Sequence, residues 1–137
     1  MTKRKLFWTV AALSITLLIF MFSQDSAPDS SEKSGFILMI LEYFHIHLSQ
    51  HFIRKAAHFT IYTLLSISYI QMFKAYGFKH YAIIGIVLAI LWASLDEYHQ
   101  TFVDGRSGEI RDILLDTTGI LFGYLITTLI KKIRPDF

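Results

Sequence analysis

The chain has 137 residues, of which 53% are apolar, with a mean hydropathy of +0.45, a formal net charge of +2 and no cysteine. This length favours a single domain over residues 1–137. The apolar fraction is typical of a membrane protein that crosses the bilayer several times. The small net charge gives no basis for nucleic-acid binding, and the lack of cysteine excludes disulfides and thiol chemistry.

Four apolar segments are candidates for membrane-spanning helices. The first, residues 6–22, would rise about 26 Å as a helix, which is near the short limit for a span. It follows three basic residues, as a signal peptide does, but it is longer than a usual signal-peptide core and lacks an A-x-A cleavage site. We therefore expect it to remain as an anchor. The other predicted spans are residues 56–73, 81–95 and 113–130.

The connection between the first two predicted spans has two parts. Its beginning, "SQDSAPDSSEKSG", is rich in Ser, Asp, Pro and Gly and is expected to be irregular. The following "FILMILEYFHIHLSQHF" begins with an apolar run that is too short to span a bilayer. It predicts an interfacial or re-entrant helix that leads into the second span, and a helix buried against the bundle is an equal alternative.

The basic residues predict the orientation of the chain. Three precede the first span, two lie between the second and third spans, and three follow the fourth, which accounts for eight of the 13 Lys and Arg. The positive-inside rule then places both termini in the cytoplasm. Residues 23–55 and 96–112 are accordingly expected on the extracytoplasmic side.

Three of the predicted spans carry polar side chains at this outer end. At helical spacing, Arg54 and His58 share one face of the second span, and Asp112 and Asp116 share one face of the fourth. Ionisable groups at such depths usually face the bundle interior or a watery cavity. We therefore expect one shared pocket, whose candidate residues also include Lys55, Asp96, Glu97, His99, Gln100 and Arg106.

These residues suggest two kinds of role. His58 or His99 could serve as a general base that Asp96 or Glu97 orients, because an imidazole suits proton transfer near neutral pH. The candidates for binding a phosphate or carboxylate, or for shaping the pocket, are Arg54, Lys55, Gln100, Arg106, Asp112 and Asp116. In the alternative interpretation the charges are structural, as anchors, helix ends and dipole compensation.

Two further patterns are interpreted as structural or as weak. His47 and His51 have i, i+4 spacing, but His45 cannot share their face, and no established zinc motif is present. The sequence therefore predicts no metal site, and no cofactor. Gly119 and Gly123 form a small-xxx-small pair, which predicts a close approach by another helix.

The ordered motifs of the chain resemble those of the VanZ-like family of small bacterial membrane proteins. They are "FSQ" after the first span, "RKAAHF", the distinctive "DEYHQTFVDGR", and "RDILLDTTGILFG". Ile61 stands where many relatives have Glu, and Asp104 where many have Pro before the Gly-Arg pair. The resemblance implies an envelope protein associated with resistance to the glycopeptide teicoplanin, without implying a reaction.

The combined expectation is an all-α, polytopic membrane bundle of four transmembrane helices with one additional extracytoplasmic helix. The protein is expected in the bacterial cell membrane, where it lowers susceptibility to glycopeptides. The outer pocket would bind or act on a lipid, a lipid-linked cell-wall intermediate or the glycopeptide itself. The alternative is a non-catalytic binding or scaffold protein, so enzymatic activity stays open.

Overall fold

The computed structural model describes residues 2–43, 45 and 47–134. These residues form α-helices and contain no strand, which confirms the all-α prediction. The helices are α1 (Lys3–Ser23), α2 (Ala27–Tyr43), α3 (Gln50–Ala75), α4 (Tyr81–Gln100) and α5 (Ile110–Ile133).

Within the described part of the chain, α1, α4 and α5 are long and apolar enough to cross a membrane. They contain the predicted spans at 6–22, 81–95 and 113–130, so a membrane protein is supported. The remaining predicted span, 56–73, lies inside α3, which does not meet the same criterion of length and composition. Four crossings are therefore not established by the helices themselves.

Helix α3 occupies the centre of the bundle, which explains its lower hydropathy. It packs against α1, α2, α4 and α5. Tyr62, Leu65 and Ile70 are fully buried in these contacts, and so are the polar side chains of Ser66 and Gln71. A helix surrounded by other helices can carry small and polar residues, because they pack and form hydrogen bonds inside the protein.

The closest approach in the bundle is between α3 and α5. A Cβ atom added to Gly119 would lie 2.6 Å from the carbonyl oxygen of Phe59, and one added to Gly123 would lie 2.6 Å from that of Thr63. The Thr63 hydroxyl donates a hydrogen bond to the Gly119 carbonyl at 3.0 Å. The predicted packing role of the glycine pair is confirmed.

Helix α2 corrects the prediction that residues 23–35 are irregular. The helix starts at Ala27, directly after Ser26, whose hydroxyl accepts a 3.4 Å hydrogen bond from the Asp29 amide and donates a 2.6 Å one to its carboxylate. Pro28 in the first turn is compatible with this start, since its missing amide hydrogen would have no helical partner there. The same Ser, Asp and Pro residues that suggested a loop therefore cap a helix.

Helix α2 also does not continue into α3, because residues 47–49 are not helical. Ser49 caps the new helix by accepting a 3.1 Å hydrogen bond from the Phe52 amide. Ser30 and Ser34 on α2 are buried, and α2 packs on α3. One face of α2 thus lies against the bundle and borders the site described below.

Candidate functional site

Three helices bring acidic and imidazole groups together at one end of the bundle. His58 lies near the start of α3, Asp116 near the start of α5 and Glu97 near the end of α4. The Nδ1 atom of His58 is 3.3 Å from Oδ1 of Asp116 and 3.5 Å from Oδ2. Side-chain ligand atoms of all three residues lie within 4.8 Å of one another. The predicted convergence of α3, α4 and α5 at one depth is therefore present.

A third carboxylate, that of Asp96, lies next to this cluster and is held by neutral hydrogen-bond donors. The Tyr62 hydroxyl donates to Asp96 Oδ2 at 3.1 Å, and the Gln100 amide donates to the same oxygen at 3.3 Å. Tyr62 is fully buried and Asp96 is 8% exposed. Gln100 and Asp96 are one helical turn apart, so their side chains meet on one face of α4. One of the two hydrogen bonds that hold the Asp96 carboxylate therefore comes from its own helix.

The loop between α4 and α5 folds back onto Glu97. The backbone amide of Glu109 donates a 2.9 Å hydrogen bond to Glu97 Oε2. A Cβ atom added to Gly108 would lie only 2.2 Å from the Glu97 carbonyl oxygen, so the loop needs glycine to approach this closely. The other carboxylate oxygen of Glu97, Oε1, is buried and has no hydrogen-bond partner among the described residues.

Lys55 and Asp112 form an ion pair at the rim of the cluster. Both side chains are partly exposed, and they join the start of α3 to the start of α5. The predicted sharing of a face by Asp112 and Asp116 is consistent with this arrangement, since one contacts Lys55 and the other contacts His58.

Helices α1 to α4 enclose a pocket beside the cluster. Its volume is about 830 Å³, counted with the part that opens to solvent. Apolar side chains of α1, α2 and α3 form much of its wall, namely Ile19, Phe22, Ile37, Ile53 and Ile61. Apolar walls with a few convergent polar groups are typical of sites for small molecules and lipids.

Polar groups at the same pocket come from α2, α3, α4 and the loop after α4. The predicted site residues among them are Arg54, His58, Asp96, Gln100 and Arg106. The Arg106 guanidinium donates to the Ser30 hydroxyl at 3.1 Å and to the Phe22 carbonyl at 3.5 Å. It therefore connects the loop to α1 and α2 and keeps its positive charge at the pocket.

His99 does not line this pocket. Its Nε2 atom is 2.6 Å from the side-chain nitrogen Nε2 of Gln24. Its ring stacks on Phe20 with 5.8 Å between ring centres. It lines a second cavity together with Trp92 and Asp96, and Asp96 also lines the first pocket. The two candidate bases are thus in different surroundings, and His58 is the one that pairs with a buried carboxylate, that of Asp116.

The carboxylate next to His58 is Asp116, which the sequence grouped with the binding residues. Asp96 instead contacts Tyr62, and Glu97 contacts the loop. His51, one of the other candidate histidines, is exposed at the start of α3. The arrangement brings the His58 imidazole, the Asp96 carboxylate and two guanidinium groups to one pocket, with Glu97 and Asp116 beside it, which suits either proton transfer or the holding of a charged group.

Some pocket residues were missed from the sequence. Ser30, Lys33, Ser34 and Ile37 of α2 line the pocket. Their i, i+3, i+4 and i+7 spacing is a helical face, and it would have been visible if "SAPD" had been interpreted as a helix start.

The geometry can be compared with known proteins. The family model described as VanZ/LLP1 matches residues 7–131, which include all of α2, α3 and α4 and most of α1 and α5. No curated protein and no solved structure matches the chain significantly. The family match agrees with the motifs at Arg54, Asp96 and Arg106, and the chain therefore belongs to the VanZ/LLP1 family.

Proposed function

We propose that this protein binds the anionic head group of a lipid or lipid-linked cell-wall intermediate from the outer side of a bacterial cell membrane. By doing so it lowers susceptibility to glycopeptides such as teicoplanin. The observation that carries this proposal is the pocket with largely apolar walls that Arg54 and Arg106 also line. A guanidinium group can hold a phosphate or carboxylate through two parallel hydrogen bonds.

The proposal includes four membrane crossings, by α1, α3, α4 and α5. The 26 residues of α3 would rise about 39 Å as a helix, which exceeds the roughly 30 Å of a hydrocarbon core. Its Ser, Gln and Tyr side chains are buried against other helices, where they avoid lipid. An even number of crossings also keeps both termini on one side, which the basic residues favour as the cytoplasm.

A functional test compares two arginines that lie close together in sequence. Arg106 lines the pocket, whereas Arg111 is exposed at the start of α5. The protein, Arg106→Ala and Arg111→Ala are expressed to equal levels in a susceptible Gram-positive host. We expect the wild-type protein and Arg111→Ala to raise the teicoplanin concentration that stops growth, and Arg106→Ala to lose that effect. Equal resistance from all three, or from none, would contradict the proposal.

A direct binding test separates the head group from the chain of the ligand. Purified protein in detergent is mixed with a polyprenyl phosphate or with the matching polyprenyl alcohol, and complexes are detected by native mass spectrometry. We expect retention of the phosphate and loss of this retention in Arg106→Ala. Equal retention of the alcohol would show that the guanidinium groups do not select the ligand.

A catalytic role is the second candidate, and the position of His58 favours it. This imidazole lines the pocket and lies beside the buried carboxylate of Asp116, an arrangement that can orient a general base. For a catalytic role, His58→Ala would retain the polyprenyl phosphate while losing resistance and any change in envelope lipids. For a structural role of the charges, the same variant would lose folded protein.

A further inference from the structure

We propose that His58, Glu97 and Asp116 form a binding site for one divalent metal ion, of the class of Zn²⁺ or Mn²⁺. Each ligand comes from a different helix, α3, α4 and α5 respectively. The site is adjacent to the lipid pocket, but metal binding does not depend on the lipid function proposed above.

The distances among the three side chains are close to those of a metal site. Their ligand atoms lie within 4.8 Å of one another. Tetrahedral Zn²⁺ with bonds of about 2.0–2.1 Å places its ligands roughly 3.3 Å apart. His58 and Asp116 already have this separation at 3.3 Å. The Glu97 ligand atom lies within 4.8 Å of the other two, so its side chain has to move closer to share one ion with them.

Two buried oxygen atoms supply independent support. Oε1 of Glu97 is buried and has no hydrogen-bond partner among the described residues, and Oδ1 of Asp116 is buried without a hydrogen bond, with His58 Nδ1 beside it at 3.3 Å. Glu97 is 2% exposed and Asp116 is fully buried. Carboxylate oxygens removed from water are normally hydrogen-bonded, paired with a charge or bound to a metal. A cation between the two residues would satisfy both oxygens at once.

The charge balance of the region points the same way. Asp96, Glu97 and Asp116 are buried acids. Of the basic groups around them, Arg54 lines the adjacent pocket, and two others have partners of their own. Lys55 pairs with Asp112, and Arg106 bonds to Ser30 and the Phe22 carbonyl. A divalent ion would compensate two carboxylates, which one imidazole does not.

The ligand set indicates the class of metal. One imidazole nitrogen and two carboxylate oxygens suit Zn²⁺ and Mn²⁺, whereas Ca²⁺ and Mg²⁺ prefer oxygen ligands alone. Three protein ligands leave further coordination positions open to water or to a ligand oxygen. Because His58 also lines the pocket, an open position can face that space.

The test uses the purified full chain in detergent, freed of metal by a chelator that is then removed. ZnCl₂ and MnCl₂ are titrated separately by calorimetry, and bound metal per chain is measured by plasma mass spectrometry. We expect one ion per chain. We expect Glu97→Gln and Asp116→Asn, which preserve side-chain shape, and His58→Ala to weaken binding by at least about tenfold. The matched controls, Glu32→Gln and His51→Ala, change exposed residues and should bind as the wild type does.

Each outcome decides the proposal. Absence of metal from the wild-type chain, or equal binding by the cluster variants and the controls, would overturn it and indicate that protons neutralise the acids. If the cluster variants do not fold, the wild-type chain loaded with Mn²⁺ is examined by pulsed electron paramagnetic resonance. Coupling to an imidazole ¹⁴N that persists in His51→Ala supports the site, and lack of that coupling overturns it. If the wild-type chain binds no metal but still retains polyprenyl phosphate, the metal site alone is overturned.

Discussion

Helices α1 and α3 pack against each other but differ in what surrounds the rest of their surfaces. α1 exposes large apolar side chains, such as Leu13 and Leu17, and is apolar enough to be identified as a span. α3 buries Tyr62, Ser66 and Gln71, and is not identified by the same criterion. Lipid contact favours apolar surfaces, while helix–helix contact favours small and polar ones. Hydropathy therefore identifies the peripheral helix and underestimates the central one.

The largest expected effect comes from two adjacent leucines of α3. Leu65 is fully buried, whereas Leu64 is 48% exposed. Leu65→Ala should lower the free energy of unfolding by about 2–5 kcal/mol, because it leaves a cavity among packed helices. Leu64→Ala should have a much smaller effect, since lipid or detergent can fill the space. Unfolding in mixed micelles measures both, and equal losses would contradict the central position of α3.

An intermediate effect is expected from two glycines. Gly119→Ala places a methyl group against the Phe59 carbonyl, whereas Gly35→Ala meets only the Gln50 side chain at 3.7 Å. Gly119→Ala should cost about 1–3 kcal/mol, because the helices α3 and α5 must separate. Gly35→Ala should be neutral or slightly stabilising, since alanine favours helix. Thermal unfolding in detergent gives the comparison, and a similar melting temperature for both variants would exclude a tight α3–α5 contact.

The smallest effect separates hydrogen bonds between helices from those within one helix. Thr63 donates to the Gly119 carbonyl as well as to its own helix, while Thr60 donates only to Ala56 in α3. Thr63→Val should lower stability by about 0.6 kcal/mol, the average for hydrogen bonds between membrane helices. Thr60→Val should change it less. If Thr60→Val is the more damaging variant, the Thr63 bond contributes nothing to helix association.

Much of the helical framework can be predicted from the sequence, because most of the helices have apolar outward surfaces. Apolar runs identify α1, α4 and α5 directly, because their outward surfaces are apolar. The start of α2 was mistaken for a loop, since Ser26, Pro28 and Asp29 are common both in turns and at the beginning of helices. The assignment of α3 as a crossing stays a proposal, because its polar residues are explained only by neighbours that the sequence does not specify.

The sequence predicts which helix ends carry the polar residues of the site. It does not predict which of these side chains contact each other. Spacing placed His58, Asp96 and Asp116 at one end of the bundle, as the structure has them. Which carboxylate meets the imidazole depends on how each helix is rotated about its own axis, and a single residue changes that direction by about 100°. Asp96 therefore faces Tyr62, while Asp116 faces His58. The same rotation turns His99 away from the pocket.

The placement of Asp116 has a consequence for biogenesis. Its carboxylate meets His58 and Glu97 from α5, which the ribosome makes after the other four helices. The earlier helices are therefore made before this partner exists. An acidic residue near the start of a membrane segment makes insertion less favourable, and the apolar remainder of α5 has to compensate. The acidic cluster can consequently form only after the last helix has joined the bundle.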